Sequence, residues 1–219
     1  MALQINDITD IDRFIEFARH NLLALQANLT GLGYRFAAST GGVQLADDEA
    51  EKMIRILEKR FGQLPALYRK WYESFACVDF SQDPTQLRDS SGEKLAGLGL
   101  NCPLVFLDIN SCLRLQKSLE GAGVHTRHGN TLELLPFGGS ASNCEPKGVW
   151  VPNAALDPII YDEGAGPVTM SQEIIAAFEA GGFPFWRNMY RRGRFTSPLG
   201  VAPAYQDILP LLLKNLSNI

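Results

Sequence analysis

Apolar residues at 64, 67, 68, 71, 72 and 75 set the strongest pattern in the chain: Leu64, Leu67, Tyr68, Trp71, Tyr72 and Phe75. The i, i+3, i+4, i+7, i+8, i+11 spacing predicts a helix buried along one face. Pro65 suits its first turn, where no intrahelical partner awaits an N–H. Arg69, Lys70, Glu73 and Ser74 fall on the other face, toward water. At roughly 1.5–3 kcal/mol per fully buried large side chain, this helix is expected at the centre of the core. Packing is the expected role of Tyr68 and Trp71, with contact to a partner the alternative.

The same periodicity predicts a helix over 8–29, with Ile8, Ile11, Phe14, Ile15, Ala18, Leu22, Leu25 and Leu29 on one side. Thr9 or Asp10 is its candidate cap, and Gly31 and Gly33 its stop. A loop over 30–46 around a short strand at Tyr34-Arg35-Phe36 follows. A second helix starts at Asp47 or Asp48, with Glu51 completing a capping-box-like pair. Its stripe is Ala50, Met53, Ile54, Leu57 and Phe61, and Asp48–Lys52 and Glu51–Arg55 are i, i+4 pairs. Gly62 ends it, which makes a tight αα-hairpin with the central helix.

Beyond 76 the pattern shortens. Asp79 to Gly99 reads as a polar excursion. Leu104–Leu107 is a compact apolar run suited to a buried strand, and 110–121 is a short helix capped by Asn110 or Ser111 and closed by Gly121. Thr131–Phe137, Gly148–Val151, Pro158–Asp162 and Val168–Met170 are strand candidates separated by turn residues. Ser171 is expected to cap a helix from Gln172 to Ala180, which Gly181, Gly182 and Pro184 stop. A closing helix over 204–216 contains Pro210, which should kink or shorten it. Helices, then short strands without helix-length crossovers, then helices again make an α+β order with an antiparallel sheet flanked by helices.

Composition narrows the function classes. The 219 residues are 46% hydrophobic and 20% charged, ordinary for a globular chain. Twenty basic against 24 acidic residues give a net charge of −4 and a pI near 5.4, which disfavours direct nucleic-acid binding and suits a basic partner. Cys77, Cys102, Cys112 and Cys144 have no CxxC spacing. The first residues lack the basic and apolar regions of a signal peptide. No run approaches the roughly 18 apolar residues of a membrane span. The expectation is a reduced, cytoplasmic protein without a membrane partner.

Catalytic signatures are weak. His125-x-x-His128 lies in a turn-like segment without the helical spacing of a zinc protease, although a cysteine could add a ligand. Gly138-Gly139-Ser140-Ala141-Ser142 only superficially resembles a nucleophile elbow. Asp162 and Glu163 are adjacent, so in a strand they would point to opposite faces. The reading is a non-enzyme without cofactor or metal. Charge layout is more suggestive: 148–186 holds five acids (Asp157, Asp162, Glu163, Glu173, Glu179) and no Lys or Arg, and 187–194 then holds four arginines. An acidic patch attracting a cationic protein is one reading, a solvated surface the other. The arginines are a weak candidate for phosphate or nucleic acid.

Phe61-Gly62-Gln63 running into Leu64-Pro65-Ala66-Leu67-Tyr68-Arg69-Lys70-Trp71 resembles the Leu-Pro-x-x-Tyr helix of the SUKH superfamily. Leu132–Gly138, Pro158–Asp162 and Val168–Ser171 with its helix resemble later segments of the family, in the right order. Ala76-Cys77-Val78 departs from it, since a glycine pair commonly stands there. The resemblance covers roughly 47–180 and implies one α+β domain over 1–219, with 1–46 and 181–219 as additions. It implies an immunity protein that neutralises a cognate, basic toxin domain, such as a nuclease, by stoichiometric association. A regulatory scaffold is the alternative, and an enzyme using a cysteine or a His125–His128 metal site the other. Asp79, Asp83, Asp162 and Glu163, acids in loops or at strand ends, are the candidate partner contacts.

Overall fold

A computed structural model of the chain describes residues 5–37, 41–81, 104–122, 127–128, 132–138, 147–161, 167–183 and 209–217, with 127, 128 and 161 described by backbone alone. In chain order these form α1 (Ile8–Gly31), β1 (Gly42–Leu45), α2 (Ala50–Phe61), α3 (Ala66–Ser74), β2 (Phe75–Asp79) and β3 (Val105–Phe106). There follow α4 (Ile109–Gly121), β4 (Arg127–His128), β5 (Leu132–Gly138), β6 (Lys147–Val151), β7 (Ile159–Tyr161), β8 (Val168–Thr169) and α5 (Met170–Glu179). The fold is mixed α+β. Its strands make a three-stranded sheet, β1-β2-β3, and a five-stranded sheet, β4-β5-β6-β7-β8, both antiparallel.

The central stripe behaves as its spacing requires. Leu64, Leu67, Tyr68, Trp71, Tyr72 and Phe75 are all buried. Trp71 lies 4.6 Å from Phe75 and 4.4 Å from Phe106, ring centre to ring centre. Phe106 stacks on Phe137 at 4.7 Å, and Tyr68 closes the series at 6.3 Å from Phe137 and 4.9 Å from Tyr72. These rings come from α3, β2, β3 and β5, so one aromatic seam ties the helix to both sheets. The sheets also touch through backbone: the Leu107 amide donates to the Phe137 carbonyl at 2.7 Å. Gly138 is essential to that approach, because a Cβ there would sit 2.5 Å from the Val105 carbonyl oxygen. Register shifts between Pro136 and Gly138 against β6, and such a bulge tolerates a proline in an inner strand.

Several local expectations are corrected. Asp7, not Thr9 or Asp10, caps α1, its carboxylate accepting the Asp10 amide at 2.9 Å. The second helix begins at Ala50; Asp47 accepts the Glu49 amide instead of capping it, and Lys52 pairs with Glu49 rather than Asp48. Glu51–Arg55 forms as expected. Asp108 caps α4, with the Ser111 amide as donor, in place of Asn110 or Ser111. Thr169 and Gln172 make the capping box of α5, in place of Ser171. In α1, α4 and α5 the side chain that caps belongs to an extended residue just ahead of the first free amides.

Pro65 stands at the N-cap of α3, one residue before its first turn. The amides of Ala66 and Leu67 donate to the carbonyls of Ala155 and Leu156, so a distant loop caps this helix. Gly62, at φ +81°, turns the chain between α2 and α3. Tyr34–Phe36 contributes only an isolated bridge at Phe36; the strand of that region is β1, eight residues after Tyr34. β2, following α3 without a break, and β4, in the segment expected to turn, were not anticipated. The helical turn at 209–212 includes Pro210 and gives way to a turn at 213–215; the expected start near 204 lies outside the described residues.

One contiguous buried cluster runs from Ile11 of α1 through α2, α3, both sheets and α5 to Leu212. The N-terminal helix and C-terminal tail are bound to each other. Asn21, fully buried, accepts the Ser217 amide at 2.8 Å and donates to its carbonyl at 3.3 Å. Asn28 donates to the carbonyls of Leu212 and Lys214 at 2.9 and 2.7 Å.

The two tyrosines of the seam make a clean comparison. Tyr72 donates its hydroxyl hydrogen to the Leu107 carbonyl at 2.9 Å. The Tyr68 hydroxyl, fully buried beside Tyr72 and Cys112, has no partner at hydrogen-bonding geometry. Tyr72→Phe is therefore expected to destabilise by about 1 kcal/mol, and Tyr68→Phe to be neutral or slightly stabilising. Urea unfolding midpoints check this; a larger loss for Tyr68→Phe than for Tyr72→Phe contradicts it.

Candidate interaction surface

Of the four expected contact residues, the structure describes Asp79; Asp83, Asp162 and Glu163 lie outside the described residues. Asp79 ends β2 and stands opposite Gly42 of β1 and Val105 of β3. It is half-buried, and its Oδ1 accepts the Ser81 amide at 2.8 Å. Its charge also reaches Tyr34 and Cys77: burial first, then Asp79, pushes both acids upward. Asp79 thus shapes the turn leaving β2 and faces its own chain.

In the acidic tract from 148 to 186, Asp157 and Glu173 are engaged within the fold. Asp157 reaches across to the start of α5, accepting the Ser171 amide at 3.0 Å and the Ser171 hydroxyl at 2.5 Å. A carboxylate is favoured there by the helix dipole. Glu173 pairs with Lys147 of β6, both side chains mostly buried, and Glu179 is engaged as well. The tract is thus no continuous bare patch in the described part of the fold. The segment 153–157 also serves two helix starts, capping α3 through Ala155 and Leu156 and α5 through Asp157.

A denser array of charge spans the water-facing side of α1, α2 and α3. Arg69 of α3 meets three carboxylates: Glu51 at 3.0 Å and Glu58 at 3.3 Å from α2, and Glu73 one turn along its own helix. Lys70 bridges Asp12 of α1 at 2.9 Å and Glu73 at 3.8 Å, and Asp12 is the first cause of the upward shift of its ammonium. Arg55 adds a second contact to Glu51. Four carboxylates thus surround three cations, all at least partly open to water. The array ties the three helices to one another across their water-facing side. The i, i+4 pair Glu51–Arg55 was visible in the sequence; the pairs from α3 to α1 and α2 depend on helix packing.

The thiols that could have carried chemistry are placed against it. Cys77 is half-buried and Cys112 buried, and both are free. Desolvation, then the charges of Asp79 and Asp108, pushes Cys77 up to about 11. Desolvation pushes Cys112 up to about 12, with Asp108 adding to it and the Tyr72 hydroxyl, 3.3 Å away, opposing it. At neutral pH both stay protonated, whereas a nucleophilic or metal-binding cysteine needs its thiolate. Cys102, Cys144 and His125 lie outside the described residues, as does the Arg187–Arg194 stretch; β4 includes His128 by backbone. Among the described residues no three His, Cys, Asp or Glu side chains converge as a metal site requires, and no helix is long and apolar enough to cross a membrane.

No protein-family model, curated protein or solved structure significantly matches this chain.

The raised thiols have a definite pH signature. Both folded values exceed the ordinary thiol value of about 8.5. Their contribution to stability is therefore complete below that value and is lost as pH rises through about 11. In a Cys102→Ser/Cys144→Ser background, iodoacetamide at pH 8 should label the native chain at least tenfold more slowly than the urea-unfolded chain. Equal rates would contradict the burial of both groups.

Proposed function

We propose that this chain is a binding protein of the immunity type, which neutralises a cognate toxin domain by forming a stoichiometric complex, and that it resembles the SUKH superfamily in fold and role. The observation that supports this reading best is the meeting of the segments that carry the resemblance. Tyr68 of the Leu-Pro-x-x-Tyr helix lies against Phe137 of the Leu132–Gly138 strand. The segments at 158–161 and 168–178 supply β7, β8 and α5 of the same fold, in neighbouring positions of one sheet and its adjoining helix. Residues that define a fold in this way constrain architecture and leave the outer shell free to vary toward different partners.

The chemistry of the described residues agrees with adhesion as the activity. Their carboxylates cap helices or pair with cations, and the two thiols are held protonated. A net charge of −4 favours encounter with a basic partner, such as a nuclease domain. The exposed carboxylates of the α1–α2–α3 face and the acids Asp162 and Glu163, just after β7, are the assigned contacts. No membrane, cofactor or metal enters this reading.

The test pairs the purified chain with the toxin-like domain encoded beside it. Calorimetry should give one-to-one binding, and co-expression should restore growth to cells making that domain. Asp162→Lys with Glu163→Lys should weaken binding at least tenfold while the melting temperature stays unchanged. Unaltered affinity removes those two acids from the interface, and no association at all overturns the immunity reading.

A further inference from the structure

The seam between α1 and β1 carries a guanidinium that finds no acceptor among the described residues. Arg19, Leu23 and Gln26 stand at i, i+4 and i+7 on α1, so they share one stripe of the helix. Gln26 fixes where that stripe faces: its Oε1 accepts the Val43 amide of β1 at 2.7 Å. The stripe therefore runs along the outer edge of the three-stranded sheet, where β1 is the terminal strand. Two turns back, the Arg19 guanidinium lies over the Phe75 ring at 6.0 Å, and Phe75 is the register partner of Leu45. Arg19 Nε is buried with no hydrogen-bond partner. Among the described residues no carboxylate pairs with it, whereas Arg69 and Lys70 each hold carboxylates. Leu23 and Leu45, beside it, are 43% and 49% exposed, among the most open large apolar side chains described.

We propose that this seam is a docking surface for a partner-protein segment presenting a Glu or Asp side chain between apolar residues. The carboxylate would take the Arg19 fork, and the flanking side chains would cover Leu23 and Leu45. Charge complementarity selects that occupant. A guanidinium donates two parallel hydrogen bonds to a carboxylate, a geometry that neither an amide nor an apolar group reproduces. The Phe75 ring holds the guanidinium in place beforehand, so little side-chain freedom remains to be lost on binding. An arginine set among apolar side chains is also a common anchor of protein interfaces. The surface needs no toxin as partner and stands apart from the immunity reading, whose contacts are carboxylates.

The full chain can be probed with an array of 12-residue peptides, amidated at the C-terminus, with Leu-Glu-Leu-type centres and matched Leu-Gln-Leu-type controls. Fluorescence anisotropy should find Glu peptides binding at least tenfold tighter than their Gln controls, with the difference shrinking as salt rises. Arg19→Ala should abolish the difference, Arg19→Lys should retain part of it, and Leu23→Ser with Leu45→Ser should weaken both peptide sets. The Glu-to-Gln comparison on the unaltered chain needs no variant to fold. Equal binding of the two sets, no binding of either, or a preference that survives Arg19→Ala overturns the proposal. So does self-association of the chain that Arg19→Ala abolishes and the peptides leave untouched, which would assign the seam to a second copy.

Discussion

The contact on which the rest depends is the stack of Trp71, Phe106 and Phe137. Trp71 comes from a nine-residue helix, Phe106 from a two-residue strand and Phe137 from the bulge of a seven-residue strand. None of these elements is long enough to be stable alone. Joined through rings 4.4 and 4.7 Å apart, they fix how the two sheets meet. They also oblige Gly138 to be a glycine, because the strands approach too closely for a side chain. Aromatic pairs of this kind contribute about 0.5–1.5 kcal/mol beyond the area they bury, so the seam is strong and direction-specific.

A second consequence concerns the parts outside the family-like segment. α1 buries seven apolar residues in the same cluster as α3. The tail then fastens to α1 through Asn21 and Asn28, which bond its backbone rather than its side chains. Leu212 anchors the tail in the core. In packing terms, the N-terminal helix and the tail are structural members of the core.

The sequence was most legible where one face of one element decides the outcome. The six-residue stripe of α3 needed only period and apolarity, and its burial is complete. The runs that became β3, β5, β6, β7 and β8 were found within a residue or two, because turn residues bounded them. β2 was missed because Phe75 starts it directly after α3, with no glycine or proline between. Caps were misplaced by one to three residues wherever several Asp, Ser or Thr side chains competed for the same free amides. The described acids of the run after 148 show a different limit. Asp157–Ser171 and Glu173–Lys147 are pairs between distant segments, and linear charge counting cannot show them. Arg19 was invisible on the same grounds: that no carboxylate pairs with it among the described residues is a property of the packed helices.

Native-state hydrogen exchange tests the central claim most directly, that the aromatic seam of α3 and both sheets, with the α1 face buried in the same cluster, forms a single cooperative core. The slowest amides of α1, α3, β5 and β6 are expected to exchange with one common opening free energy, equal to that of global unfolding, and Trp71→Ala should lower all of them together. Exchange of α1 through a separate, lower-energy opening, with α3 and β5 still fully protected, would contradict it.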